Sequence, residues 1–158
     1  MSVFGKLKSA INMVTGGAAE VSVEFEEPKL NEPFNIVIHA MTKSEPVTID
    51  KVYLKVRGIE EVEVDVTYTE TNQAGDTRSI SDSEHRSQIT YEYEYIVSEE
   101  QVLSADTEHE WVQAVSFPED CKPCYCGLNA THRYEIFAGL DCFGNDPDSG
   151  WIQLPYFS

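Results

Sequence analysis

Residues 47–70 read VTIDKVYLKVRGIEEVEVDVTYTE. Val52, Leu54 and Val56 fall on one side of a chain whose side chains alternate, Gly58 stands where a bend is expected, and Val62, Val64, Val66 and Tyr68 resume the alternation as a second strand. Glu61, Glu63, Asp65 and Thr67 occupy the opposite face. An apolar face against a polar one at a period of two describes a half-buried antiparallel strand. A parallel sheet would need continuous apolar runs and intervening helices.

The same period extends in both directions. Upstream, Val21, Val23 and Phe25 alternate with Ser22, Glu24 and Glu26; EPKLNEPF (27–34) punctuates with two prolines, and Phe34, Ile36 and Ile38 form the next strand. Downstream, Thr71 to Glu84 is Ser, Asp, Asn, Gln and Thr with Ile80 the strongly apolar residue, so an exposed hairpin tip or flexible excursion is expected. Ile89, Tyr91, Tyr93, Tyr95 and Val97 then alternate with Thr90, Glu92 and Glu94. Further strands are predicted at EWVQAVSF (110–117), HRYEIFAGLD (132–141) and WIQLPYF (151–157). Some eight short strands separated by turn signals make an all-β, antiparallel immunoglobulin-like β-sandwich.

The first sixteen residues differ. Val3, Phe4, Leu7, Ile11 and Val14 recur at spacings of three and four and stop at Gly16-Gly17, which predicts a short amphipathic helix over 1–16 ahead of a sandwich over 17–158. Its apolar face, with Phe4, Leu7 and Ile11, either caps the sandwich or recognises a groove or a membrane surface. Lys6 and Lys8 are few for anionic lipid, which favours a partner protein or another copy of the chain over a membrane.

With 158 residues and a net charge of −17, the chain is the size of one domain and repels polyanions, which argues against nucleic acid as a partner. The opening lacks the uninterrupted apolar stretch of a secretory signal, and no segment reaches membrane-spanning length, so a cytoplasmic location is expected.

Several stretches, read in order, resemble the amino-terminal half of arrestin-like proteins. These are EPKLNEPFNIVIHAMTKSEPVTIDKVYLKVRGIEEV (27–62), VSEEQVLSADTEHEWVQAVSFPEDCKPCYCG (97–127) and THRYEIFAGLDCFG (131–144). The opening SVFGKLKSAINMVTGGAAEVSVEF (2–25) and the closing GLDCFGNDPDSGWIQL (139–154) look closer still to the bacterial sporulation-control family that carries this fold. The resemblance implies a curved β-sandwich acting as an adaptor or regulator through protein contacts, without catalysis. It covers one lobe where sporulation-control relatives usually continue into a second, and the cysteines are outside the family pattern.

CKPCYCG (121–127) holds three of the four cysteines. Cys121, Cys124 and Cys126 have the spacing to converge on zinc, and a tetrahedral site needs a fourth ligand. Cys142 lies beyond a strand of about ten residues, some 30 Å away at about 3.3 Å per residue, so His132 is the better candidate. A thioredoxin-like redox role would want a helix amino terminus, and here the surroundings are strand and loop. A loop without metal or other cofactor is expected, with zinc on Cys121, Cys124, Cys126 and His132 as the alternative.

Glu61, Glu63 and Asp65, with Glu92 and Glu94 on the expected hairpin partner, make an acidic stripe. It is either a solvated face or a docking surface for a basic partner or a divalent ion, and Lys55 and Arg57 are placed to offset part of its repulsion. NDPDSG (145–150) is too short for an EF-hand and reads as a turn. The four histidines are scattered, and neither a nucleophile elbow nor a phosphate loop is present, so no catalytic residue is assigned.

Overall fold

The computed structural model describes residues 8–10 and 17–158. Its strands are β1 (Lys8–Ala10), β2 (Ala19–Phe25), β3 (Phe34–Thr42), β4 (Val47–Thr71), β5 (Thr77–Ser98), β6 (Gln101–Leu103), β7 (Glu108–Val115), β8 (Tyr125–Cys126), β9 (Ala130–Cys142) and β10 (Ile152–Gln153). One sheet has the order β1-β2-β3-β7; the other runs β10-β9-β4-β5, with β6 on β4 and β8 on β9. Every pairing is antiparallel.

The alternation read from the sequence is the burial pattern. Val21, Val23, Phe25, Phe34, Ile36, Ile38 and Ala40 point inward from one sheet, and Val52, Leu54, Val56, Ile136, Ala138 and Leu140 from the other, into one shared core. On β4 the inward positions shift from Val47 and Ile49 to Val52, Leu54 and Val56. A bulge causes the shift, because β9 pairs with Ile49 and then Lys51, leaving Asp50 as the extra residue.

Three expectations are corrected. Residues 8–10 of the predicted amino-terminal helix are a strand, Lys8 opposite Phe25 and Ala10 opposite Val23, supplying backbone partners to the otherwise open edge of β2. Residues 1–7 and 11–16, with Phe4, Leu7 and Ile11, lie outside the described residues. Gly58 does not divide β4, which runs unbroken for 25 residues.

The excursion expected from Thr71 to Glu84 is a strand for most of its length, because β5 begins at Thr77 and pairs with β4 from Thr71 onward. The turn is only residues 72–76. There Asn72 Oδ1 accepts the amide hydrogens of Ala74 and Asp76 at 3.0 and 2.9 Å, and Gly75 takes a φ of 86°. β9 accompanies β4 only as far as Val62, so Val62–Thr71 and their partners Thr77–Arg86 leave the sandwich as a two-stranded arm.

Candidate functional site: the cysteine loop and the root of the arm

His132 on β9 is fully buried beneath the cysteine loop. Its Nδ1 lies 2.9 Å from the carbonyl of Pro123, which can only accept, so Nδ1 carries the proton; Nε2 lies 2.7 Å from Thr90 Oγ1 and takes that hydroxyl's hydrogen. Two residues on, Tyr134 donates its hydroxyl hydrogen to the Lys122 carbonyl at 2.6 Å. Burial pushes its phenol well above the ordinary value, which keeps it a neutral donor. The Cys124 amide bonds the Phe157 carbonyl at 3.1 Å. Side chains from β9 thus hold the loop by its carbonyls.

Cys121 and Cys124 pack partly buried against the core, while Cys126 is exposed on β8. Burial raises the thiols of Cys121 and Cys124, favouring the protonated form over the thiolate a metal requires. Both His132 nitrogens are engaged, and among the described residues no group of three His, Cys, Asp or Glu side chains is placed to hold a metal ion. Cys142 ends β9, with its thiol 3.8 Å from the Asn145 carbonyl. In the turn beyond it, Asp146 and Asp148 accept the amide hydrogens of Cys142 and Gly150.

The acidic residues separate into two groups, because the register differs from the expected one. Glu92 faces Arg57 and Glu94 faces Lys55, and Glu94 is also 2.8 Å from Lys51. Glu63 and Asp65 lie out on the arm opposite His85 and Ser83. No like-charge ladder forms.

Sequence reading missed the root of the arm. On the outer face Arg57 bonds Glu135 at 2.8 and 3.0 Å, Glu135 bonds Arg133 at 3.0 Å, and Arg133 bonds Glu61. Arg57 also stacks over Trp151 at 3.7 Å. On the inner face Glu60 accepts from Tyr125 and lies 3.5 Å from Lys122. The alternation of Arg57, Arg133 and Glu135 with buried neighbours was the available signal, but which charges meet depends on the pairing of β4 with β9.

Arg133 beside Glu61 holds that carboxyl below the ordinary value of 4.5. A carboxyl depressed by folding stabilises the fold above its unfolded value and loses that contribution as pH falls through the lower, folded value. Below about pH 4.5 the root of the arm is therefore expected to open locally. Hydrogen exchange of the Val62 and Glu63 amides, corrected for intrinsic rate, should rise on acidification, and less so in Glu61→Gln, which has already lost the charge.

No protein-family model matches the sequence, and no curated protein matches it. Two antiparallel sheets packed on one core make a β-sandwich, and its fold is like that of a solved sporulation control protein. Among solved structures, the chain is similar to Spo0M, the sporulation control protein of Bacillus subtilis, with a TM-score of 0.61 and 14% identity. That likeness covers 90% of this chain and 50% of Spo0M, so the chain spans about half the length of that protein. Among the described residues no helix is long and apolar enough to cross a membrane.

Proposed function

We propose that the protein is a non-catalytic adaptor or regulator that works by binding another protein. The arm carries this reading. The chain spends the ends of its two longest strands on a ribbon that adds nothing to the core, yet keeps Val64 and Tyr68 on its surface at 45% exposure each. An isolated two-stranded ribbon is marginal in water, and apolar side chains left exposed on one are suited to a partner's surface. The likeness to a sporulation control protein supports a regulatory role at the level of fold. Phe4, Leu7 and Ile11 are proposed as a second contact.

The test is affinity capture from native extract with the full chain, a chain whose arm is cut back to a tight turn, and a chain lacking residues 1–16. Each recovered protein is then purified and rebound. One partner held in stoichiometric amount by the full chain and lost with the arm is the expected result; no purified partner binding any of the three overturns it.

The cysteine loop is proposed to fold without metal. Protein purified without added metal is expected to contain far less than one zinc per chain by elemental analysis, and stoichiometric zinc would reverse that assignment.

A further inference from the structure

We infer that the free edge of β4 beyond Glu63 receives an extended segment of another protein in which apolar and basic side chains alternate; this rests on the protein-binding reading above and names where and what is bound. The last bond between β4 and its neighbour on this side is from the Glu63 amide to the Asn129 carbonyl, at 2.8 Å. Among the described residues, the strand from Val64 to Thr71 keeps β5 on one side only. Eight residues at about 3.3 Å each leave roughly 26 Å of edge whose amides and carbonyls are open to strand addition.

The two faces of that edge specify the guest. Between Tyr53 and Thr71 the one register shift against β5 leaves Thr90 as the extra residue, so β4 itself keeps its alternation. The face that buries Val52, Leu54 and Val56 in the core therefore runs on as Val62, Val64, Val66 and Tyr68 after the opposing sheet has ended. On the other face stand Glu63 and Asp65, and among the described residues neither has a cation within ion-pair distance. The arm's arginines are committed elsewhere, Arg78 to Glu70 at 3.1 Å and Arg86 to Glu84 at 3.0 Å.

An added strand would set its alternate residues beside Val64, Val66 and Tyr68, and the intervening ones beside Glu63 and Asp65. Apolar side chains suit the first set and lysine or arginine the second. The edge has neither the lysine nor the proline that usually keeps strands apart. Its acids take that part against a second copy of this chain, whose net charge of −17 opposes approach, and they admit a basic segment. The outer edge of β5 is less suited, since Arg86, Glu84, Asp82 and Arg78 put charge on the face where β4 is apolar.

Two labelled decapeptides of equal charge, one alternating Val and Lys and one alternating Ser and Lys, are titrated with the full chain at physiological salt, with anisotropy as the readout. The Val–Lys peptide is expected to bind at least tenfold tighter. In the Glu63→Lys/Asp65→Lys double variant, both positions being exposed, preference should pass to a Val–Glu decapeptide. Equal binding of the two lysine peptides, or an unchanged preference in the double variant, overturns the inference. So does sedimentation showing that the native chain pairs with itself through this edge. A captured partner that binds the double variant as tightly as the native chain overturns the edge as the site while leaving the protein-binding reading intact.

Discussion

Tyr134→Ala is expected to cost about 3–5 kcal/mol, the range for deleting a large buried aromatic side chain. Its ring has no solvent exposure and meets Phe117 at 4.5 Å, His132 at 5.0 Å, Phe157 at 5.3 Å and Tyr91 at 6.5 Å between centroids. Removing it leaves a void at the centre of that cluster and frees the Lys122 carbonyl. For a domain of this size about 2–4 °C of Tm is lost per kcal/mol, so a fall of roughly 6–20 °C in calorimetry is expected. Tyr134→Phe separates the two contributions, keeping the ring and losing one hydrogen bond worth about 1 kcal/mol. Both variants loosen the loop, so Cys121 and Cys124 should react faster with a thiol reagent in each. A Tyr134→Ala protein melting within a degree or two of the native one would mean that the cluster does not anchor the loop.

Residues such as Val21, Val23, Phe25, Phe34, Ile36 and Ile38 were legible because strand burial is a local, period-two property, and the sandwich followed from them. The segment Thr77–Glu84 was not, because it has no buried face to write an apolar pattern. It is a strand because β4 presents a backbone ladder and the turn at Asn72 directs the chain back along it. The signal was present in Asn72, Gly75 and Asp76, which are turn residues, but the surrounding polar run masked it.

Misplacing that turn displaced the register. Glu92 and Glu94 were expected near Glu61 and Glu63, and they lie beside Arg57 and Lys55 instead. The cysteine cluster shows a different limit. Its spacing suggests a metal, yet its geometry depends on what His132 bonds, and Thr90 is 42 residues away in the chain. The fold was therefore far more readable than the site, whose contacts are set by pairings between distant strands.

Gly58 carries the second large effect. A β-carbon built there would lie 2.6 Å from Thr90 Oγ1, 2.9 Å from Tyr134 Cε1 and 3.3 Å from His132 Nε2. The first two approaches are closer than carbon tolerates, and the groups concerned cannot easily yield. Thr90 is held by His132, His132 by Pro123, and Tyr134 by Lys122 and the surrounding rings. Gly58→Ala is thus expected to destabilise the protein by about 1–3 kcal/mol through overpacking, read from urea denaturation, although alanine is the better residue for an ordinary strand. Gly58→Val should cost more.

Thr90→Ala gives the decisive comparison. Alone, it leaves the buried Nε2 of His132 without its donor and costs about 1–3 kcal/mol. Combined with Gly58→Ala, it also removes the oxygen that the new methyl meets first, so the double variant should be more stable than the sum of the single losses predicts. Strict additivity would mean that Gly58 is required for a reason other than the Thr90–His132 pair. A positive coupling would establish that this glycine, which resembles a break in the strand, is the space in which the arm, the cysteine loop and the core are joined.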